Sequence, residues 1–135
     1  MLGPLIMMLV DSDVLIAHLR GLGAARDWLI DARKNGPLAI SVVSIAELVG
    51  GMRSVEHREV WRLLSSFRAE PATEIIARRA GEMMRRYRRS HTGIERGDYL
   101  IAATADVKGL QLATLNVRHF PMFKDLRPPF ATEAE

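Results

Sequence analysis

No cysteine occurs among the 135 residues. That absence excludes a disulfide scaffold, thiolate zinc sites, iron–sulfur clusters and a cysteine nucleophile. It fits a reducing compartment, so a cytoplasmic location is expected. No run reaches the roughly 18 apolar residues needed to cross a bilayer, and no membrane partner is expected. The opening MLGPLIMMLV has no basic start and runs straight into Asp11, unlike a signal peptide. No Gly-rich phosphate loop follows the first apolar run, which argues against nucleoside triphosphate binding. A Gly-x-Ser-x-Gly elbow is missing too. His18, His57, His91 and His119 show no ligand spacing, and His91 and His119 read as surface or packing residues. Lysine is scarce: of 19 cationic side chains, 16 are Arg and 3 are Lys.

What is present suffices for one core. Hydrophobic residues make up 48% of the chain, which argues against disorder. The length limits the chain to a single domain over residues 1–135. Residues 1–6 read as a loose N-terminal extension. The end beyond Pro128-Pro129 reads as frayed, with 131–135 as its outermost part.

Short apolar strands alternate with helices. Residues 5–10, 38–41 and 110–114 read as strands, with 123–126 a candidate edge strand. Helices are expected over 14–20, 24–33, from just after 41 through 52, 55–68, 74–89 and 98–108, and Gly109 caps the last. Residues 90–97 read as a loop, and 116–120 as a turn. This alternation predicts an α/β domain with a central, mainly parallel sheet flanked by helices. In such sheets ligands bind beyond the carboxyl ends of the strands.

Four polar residues fall there. Asp11 follows the first strand, Glu47 follows the second, Asp98 opens the central helix, and Asn116 follows the strand ending at Thr114. Each has a plain alternative. Asp11, Asp13 or Asp98 can cap a helix, Ser44-x-x-Glu47 fits a capping box, and Asn116 suits a turn. Yet Asp98 shares a helical face with Ile101, Ala102 and Ala105, which aims its carboxylate inward. Glu47 has Gly50 and Gly51 at i+3 and i+4, so nothing bulky shields it. Converging carboxylates repel unless a cation joins them. Oxygen ligands without cysteine select Mg²⁺ or Mn²⁺. Such ions polarise phosphoryl oxygens and activate water, so the indicated chemistry is phosphoester hydrolysis.

The net charge of +3 is unevenly spread. Residues 78–96 carry seven Arg against two Glu, a net +5. The plain reading is a solvated face with Arg78–Glu82 and Glu82–Arg86 pairs, each worth only about 0.3–0.5 kcal/mol. The functional reading is a phosphate-binding rim, with Arg85, Arg86, Arg89, Arg96 and, further on, Arg118 as candidates for an RNA backbone.

Four segments carry a family resemblance: Leu9-Val10-Asp11-Ser12-Asp13-Val14-Leu15-Ile16, Ser44-Ile45-Ala46-Glu47-Leu48 with Gly50-Gly51, Asp98-Tyr99-Leu100-Ile101-Ala102-Ala103-Thr104-Ala105, and Thr114-Leu115-Asn116-Val117-Arg118-His119-Phe120. In order and spacing they resemble the PIN-domain ribonucleases, and among those the VapC-type toxins of bacterial toxin–antitoxin pairs. The resemblance implies an α/β/α sandwich and a Mg²⁺- or Mn²⁺-dependent endoribonuclease. It also implies a homodimer, neutralised by a cognate VapB-type antitoxin that occupies the active-site groove. Asp11, Glu47 and Asp98 match the family's metal-binding acids. Asn116 matches a fourth catalytic position that is Asp in many members, which puts a second metal site in doubt. Asp13 is a possible accessory acid, or a helix cap, and the cap is the expectation.

Two other functions remain open on the sequence. Asp11-Ser12-Asp13-Val14 mimics the Asp-x-Asp nucleophile motif of haloacid-dehalogenase phosphatases, which act on small phosphate esters. A non-catalytic RNA- or protein-binding module, with caps at the strand ends, is the other.

Overall fold

The computed structural model describes residues 7–132. The expected strand residues 5 and 6, the proposed extension 1–6 and the tail end 133–135 lie outside the described residues. Along the chain run β1 (Met8–Val10), α1 (Ser12–Leu19), α2 (Gly23–Arg33), β2 (Leu38–Ser41), α3 (Val42–Gly51), α4 (His57–Leu64), β3 (Phe67–Glu70), α5 (Glu74–Tyr87), α6 (Arg96–Lys108) and β4 (Gln111–Ala113). The four strands form one sheet in the order β3-β2-β1-β4. Every pairing is parallel, with Leu9 facing Ala39 on one side and Leu112 on the other.

Strand alternation divides the core into two layers. Leu9, Ala39 and Leu112 point to one face, where they meet Ile76, Ala80 and Met83 of α5 and Tyr99, Ile101, Ala102 and Ala105 of α6. Val10, Leu38 and Ile40 point to the other, against Val14 and Leu15 of α1, Leu29 of α2, Leu48 of α3 and Val60 of α4. Helices thus cover both faces of the sheet, the expected α/β/α sandwich. Helix α6 buries Tyr99 and every residue from 101 to 105, so it is central. Gly109 ends it in the left-handed conformation at φ 65°, and Leu110 N–H donates to the Ala105 carbonyl at 2.9 Å.

The helix expected over 55–68 is a correction. A 3₁₀ turn at Ser54–Glu56 leads into α4, which stops at Leu64. The Ser65 and Ser66 hydroxyls then donate to the Arg62 and Leu63 carbonyls at 2.7 and 2.6 Å. Serine hydroxyls that bond back in this way compete with helix continuation. Phe67 leaves the helix and pairs with Leu38 as the first residue of an edge strand. The candidate edge strand at 123–126 is a second correction. Asp125 takes φ 60°, a left-handed bend that interrupts extended chain. Phe123 and Leu126 instead pack on the α5–α6 layer. Phe130, expected within the frayed end, instead sets its ring 6.4 Å from that of Trp28.

Candidate functional site

Parallel strands deliver their carboxyl ends to one edge, and the helices that follow start there. The side chains of Asp11, Ser12, Asp13, Glu47, Glu95, Asp98, Asn116 and His119 line one recess of about 230 Å³ at that edge. None of these eight is Lys or Arg. A larger cavity, about 510 Å³, lies elsewhere, between β4 and the C-terminal segment, and holds no comparable acid cluster.

Asp11 caps α1, as the plain reading had it, yet its carboxylate also reaches the recess. One oxygen accepts from Ser12 N–H at 2.8 Å, and the other accepts from the Thr114 hydroxyl at 2.8 Å. The residue is only 6% exposed. Burial raises its pKa, outweighing those two hydrogen bonds, and the charge of Asp98 adds to the rise.

Asp13 is not the expected cap. It sits in the first turn of α1, and its Oδ2 accepts from Leu115 N–H at 3.0 Å and from the Thr114 hydroxyl at 3.2 Å. It thereby ties α1 to the end of β4. Its Oδ1 is buried without a partner. Burial, and then the charge of Asp11, push its carboxyl up to about 7.

Glu47 lies in the second turn of α3 rather than the first, because α3 starts at Val42. The helix is capped by Ser41, whose hydroxyl accepts from Val43 N–H at 3.0 Å, so the capping box expected at Ser44 is absent. Glu47 stands exposed at the rim. Its Oε1 accepts from the Ser12 hydroxyl at 3.2 Å. Partial desolvation and then the charges of Asp11, Asp98 and Glu95 raise its pKa.

Helix α6 starts at Arg96, two residues earlier than expected, which puts Asp98 third in the helix. Its Oδ2 accepts from Glu95 N–H at 3.0 Å, the backward bond of a helix start. The same oxygen lies 3.1 Å from His119 Nδ1. Asn116 reaches the recess as expected, with its amide nitrogen 2.9 Å from the same Nδ1.

Gly97 has a specific reason to lack a side chain. A Cβ there meets Val43 Cγ1 at 3.3 Å and Glu47 Oε2 at 3.4 Å. Gly97→Ala is expected to press on the Val43 methyl and to leave the Glu47 carboxylate in ordinary contact, with thermal stability within about 4 °C of the parent, since a helix-propensity gain of up to about 1 kcal/mol offsets the crowding. A melting curve checks it, and a much larger loss contradicts the steric argument.

His119 and Glu95 were not among the expected site residues. Their signals were positional only: His119 lies three residues beyond Asn116, and Glu95 three before Asp98. His119, expected as a surface or packing residue, thus lines the recess beside Asp98.

The expected Arg78–Glu82 and Glu82–Arg86 pairs are not those formed. Arg78 pairs with Glu74 at 2.8 Å, and Arg79 with Asp106 of α6 at 2.7 Å. Arg85, Arg86 and Arg89 are exposed in and just beyond the last turn of α5. Arg96 is exposed at the start of α6, and Arg118 is exposed between Asn116 and His119. Arg86 lies 5.5 Å from the Tyr87 ring centre. None of these five lines the acidic recess itself.

Comparison with known proteins places this geometry. The PIN domain family model matches residues 8–125. Ribonuclease VapC10 of Mycobacterium tuberculosis is 79% identical over 125 residues, covering 93% of this chain and 94% of that protein. Ribonuclease VapC19 of the same species is 46% identical over 125 residues, covering 92% and 100%. Among solved structures, a toxin–antitoxin complex from Klebsiella pneumoniae superposes with a TM-score of 0.75 at 25% identity, covering 93% of this chain and 99% of that one. The matched span contains all four segments that meet at the recess, and the chain belongs to the PIN domain family.

Proposed function

We propose that this protein is an endoribonuclease toxin that hydrolyses RNA phosphodiester bonds with Mg²⁺ or Mn²⁺. One observation carries the reading: Asp11, Glu47, Asp98 and Asn116, from four separate segments, line one recess that contains no Lys or Arg. The names of the similar proteins, at identities reported above, support ribonuclease chemistry. The Asp-x-Asp phosphatase reading is disfavoured by Asp13, whose Oδ2 is tied to Leu115 N–H and Thr114 and whose Oδ1 is buried rather than presented to a substrate.

The donor set fits a hard divalent ion. Among the described residues no three His, Asp or Glu side chains form a ready-made metal cluster. The carboxylates are held instead by Ser12, Thr114, Glu95 N–H and His119. Burial first, and then the neighbouring carboxylates, raise the pKa values of Asp11 and Glu47, with Asp98 a smaller contributor to both. Asp13 adds an oxygen with no partner. Oxygen donors under like-charge strain suit Mg²⁺ or Mn²⁺.

Asp11, Glu47 and Asp98 hold the ion in this reading, with Asn116 as a neutral fourth group and Asp13 as an accessory. When bound, the ion polarises the phosphoryl oxygen and makes water more acidic. The chain's own residues do the rest. Ser12 N–H and Thr114 fix Asp11, Ser12 Oγ fixes Glu47, and Glu95 N–H fixes Asp98. Glu47, exposed at the rim, accepts the proton of the attacking water, whose oxygen bonds to phosphorus. The P–O bond to the leaving ribose oxygen breaks, and that oxygen takes a proton from solvent. Arg85, Arg86, Arg89, Arg96 and Arg118 hold the flanking phosphates.

A VapB-type antitoxin is the proposed protein partner. An apolar groove of Ile16, Leu19, Leu48 and Met52 shares Glu47 with the recess, so a bound segment can lead into the site. A homodimer and a cytoplasmic location complete the proposal. No described helix is long and apolar enough to cross a membrane.

Metal removal tests the reading. EDTA is expected to abolish cleavage of total RNA, and added Mn²⁺ or Mg²⁺ in excess to restore it. Undiminished cleavage in EDTA refutes the metal-dependent site.

A further inference from the structure

We propose that His119 is a positioning residue: its Nδ1–H fixes the Asp98 carboxylate, and so decides which Asp98 oxygen faces the recess. The inference rests on the metal-assisted reading above and extends it to a residue that reading leaves without a role.

Residues Val117–His119 form a 3₁₀ turn, with Asn116 at its N-cap. Side chains three apart eclipse on such a turn, which brings the Asn116 amide nitrogen to 2.9 Å from His119 Nδ1. Backbone bonds lock the turn: His119 N–H donates to the Asn116 carbonyl at 3.0 Å, and Phe120 N–H to the Val117 carbonyl at 3.0 Å. Phe120 itself is 1% exposed and anchors the turn in the α5–α6 layer. The imidazole is therefore set by the core beneath it.

Nδ1 also stands 3.1 Å from Asp98 Oδ2, and the two side chains are 31% and 16% exposed. A carboxylate oxygen and a bare ring nitrogen are both acceptors, so this approach requires a proton on Nδ1. With that proton His119 donates to Oδ2, and the Asn116 amide turns its oxygen rather than its NH2 to the ring, because Nδ1–H cannot accept. The neutral ring in its Nδ1–H form is enough, so no ring charge is needed. Glu95 N–H donates to the same oxygen at 3.0 Å. Two donors thus converge on Oδ2 from opposite sides in sequence, one from the start of α6 and one from the turn after β4. Among the described residues no hydrogen bond engages Asp98 Oδ1, and that oxygen is the one left for the recess. Partners that orient a ligating carboxylate typically change metal affinity by about 10–100-fold when removed.

Three variants separate this role from a merely structural one. Asn places an amide donor near the Nδ1 position, Gln places it near Nε2, and Ala supplies none. Mn²⁺ affinity by calorimetry, RNA kcat and KM, and melting temperature are measured on each. His119→Ala and His119→Gln are expected to weaken Mn²⁺ binding and to lower kcat by about 10-fold or more, with KM within about threefold. His119→Asn is expected to stay within about threefold of the parent in both. Should the Ala variant fail to fold, the Asn–Gln contrast still decides. Ala and Gln variants that bind Mn²⁺ as the parent does overturn the inference and leave the metal reading standing. An Asn variant as impaired as Gln also overturns it, as does a rise in KM alone. A parent protein that binds no Mn²⁺ overturns the metal reading and this inference together.

Discussion

Asp98→Asn is expected to lower RNA cleavage by at least about 10³-fold, on the order of 4 kcal/mol of transition-state stabilisation. The substitution is nearly isosteric. Its remaining carbonyl oxygen can still accept from Glu95 N–H, so the start of α6 keeps its backward bond. What is removed is one negative charge from a recess where Asp11 and Glu47 already repel it. The variant is therefore expected to melt at the same temperature as the parent or slightly above it. A merely structural Asp98 predicts the opposite pair of results, a lower melting temperature with retained cleavage. Assays on total RNA with Mn²⁺, run beside thermal unfolding, distinguish the two. Parental cleavage by a folded Asp98→Asn protein removes Asp98 from the chemistry.

The sequence revealed the parts of this site that hydrophobic periodicity frames. Asp11, Glu47, Asp98 and Asn116 each sit where an apolar strand ends or an apolar helix begins, and the parallel topology gathers those ends. What stayed hidden was set by pairing across the fold. Strand β3 has four residues, with Phe67 in helical register with Val60 and Leu64, so local pattern favoured helix. Only its ladder to β2 makes it a strand. Glu82 fits either neighbouring Arg on the sequence, but Arg79 turns towards Asp106 because α5 packs along α6. His119 lacked ligand spacing because its partner Asp98 lies 21 positions earlier and meets it only after β4 is in place. Asp13 carried the helix-cap signal, but Asp11 takes that bond, and Asp13 is left to tie two elements no local pattern connects.

Asp13→Asn is expected to flatten the pH dependence of stability in the metal-free protein. The Asp13 carboxyl ionises near 3.8 unperturbed and at about 7 in the fold, raised by burial first and by Asp11 second. Between those values the unfolded chain has lost the proton and the folded chain keeps it. The folded state then binds more protons, so stability falls as pH rises. The loss starts near pH 4 and is complete above about 7. Asp11 and Glu47 are shifted in the same direction and add to the slope. One pKa unit corresponds to about 1.4 kcal/mol, so the loss from Asp13 is on the order of 1–4 kcal/mol. Asn keeps an oxygen to accept from Leu115 N–H and carries no charge at any pH. Its amide nitrogen falls where Oδ1 now lies buried without a partner, which costs about 1–2 kcal/mol at every pH. At pH 4 the variant is therefore expected to melt at or below the parent, and at pH 8 level with it or above. Melting curves in EDTA across that range check the crossing. Two profiles that stay parallel contradict it, because a neutral Asp13 at pH 8 carries no repulsion for the amide to relieve.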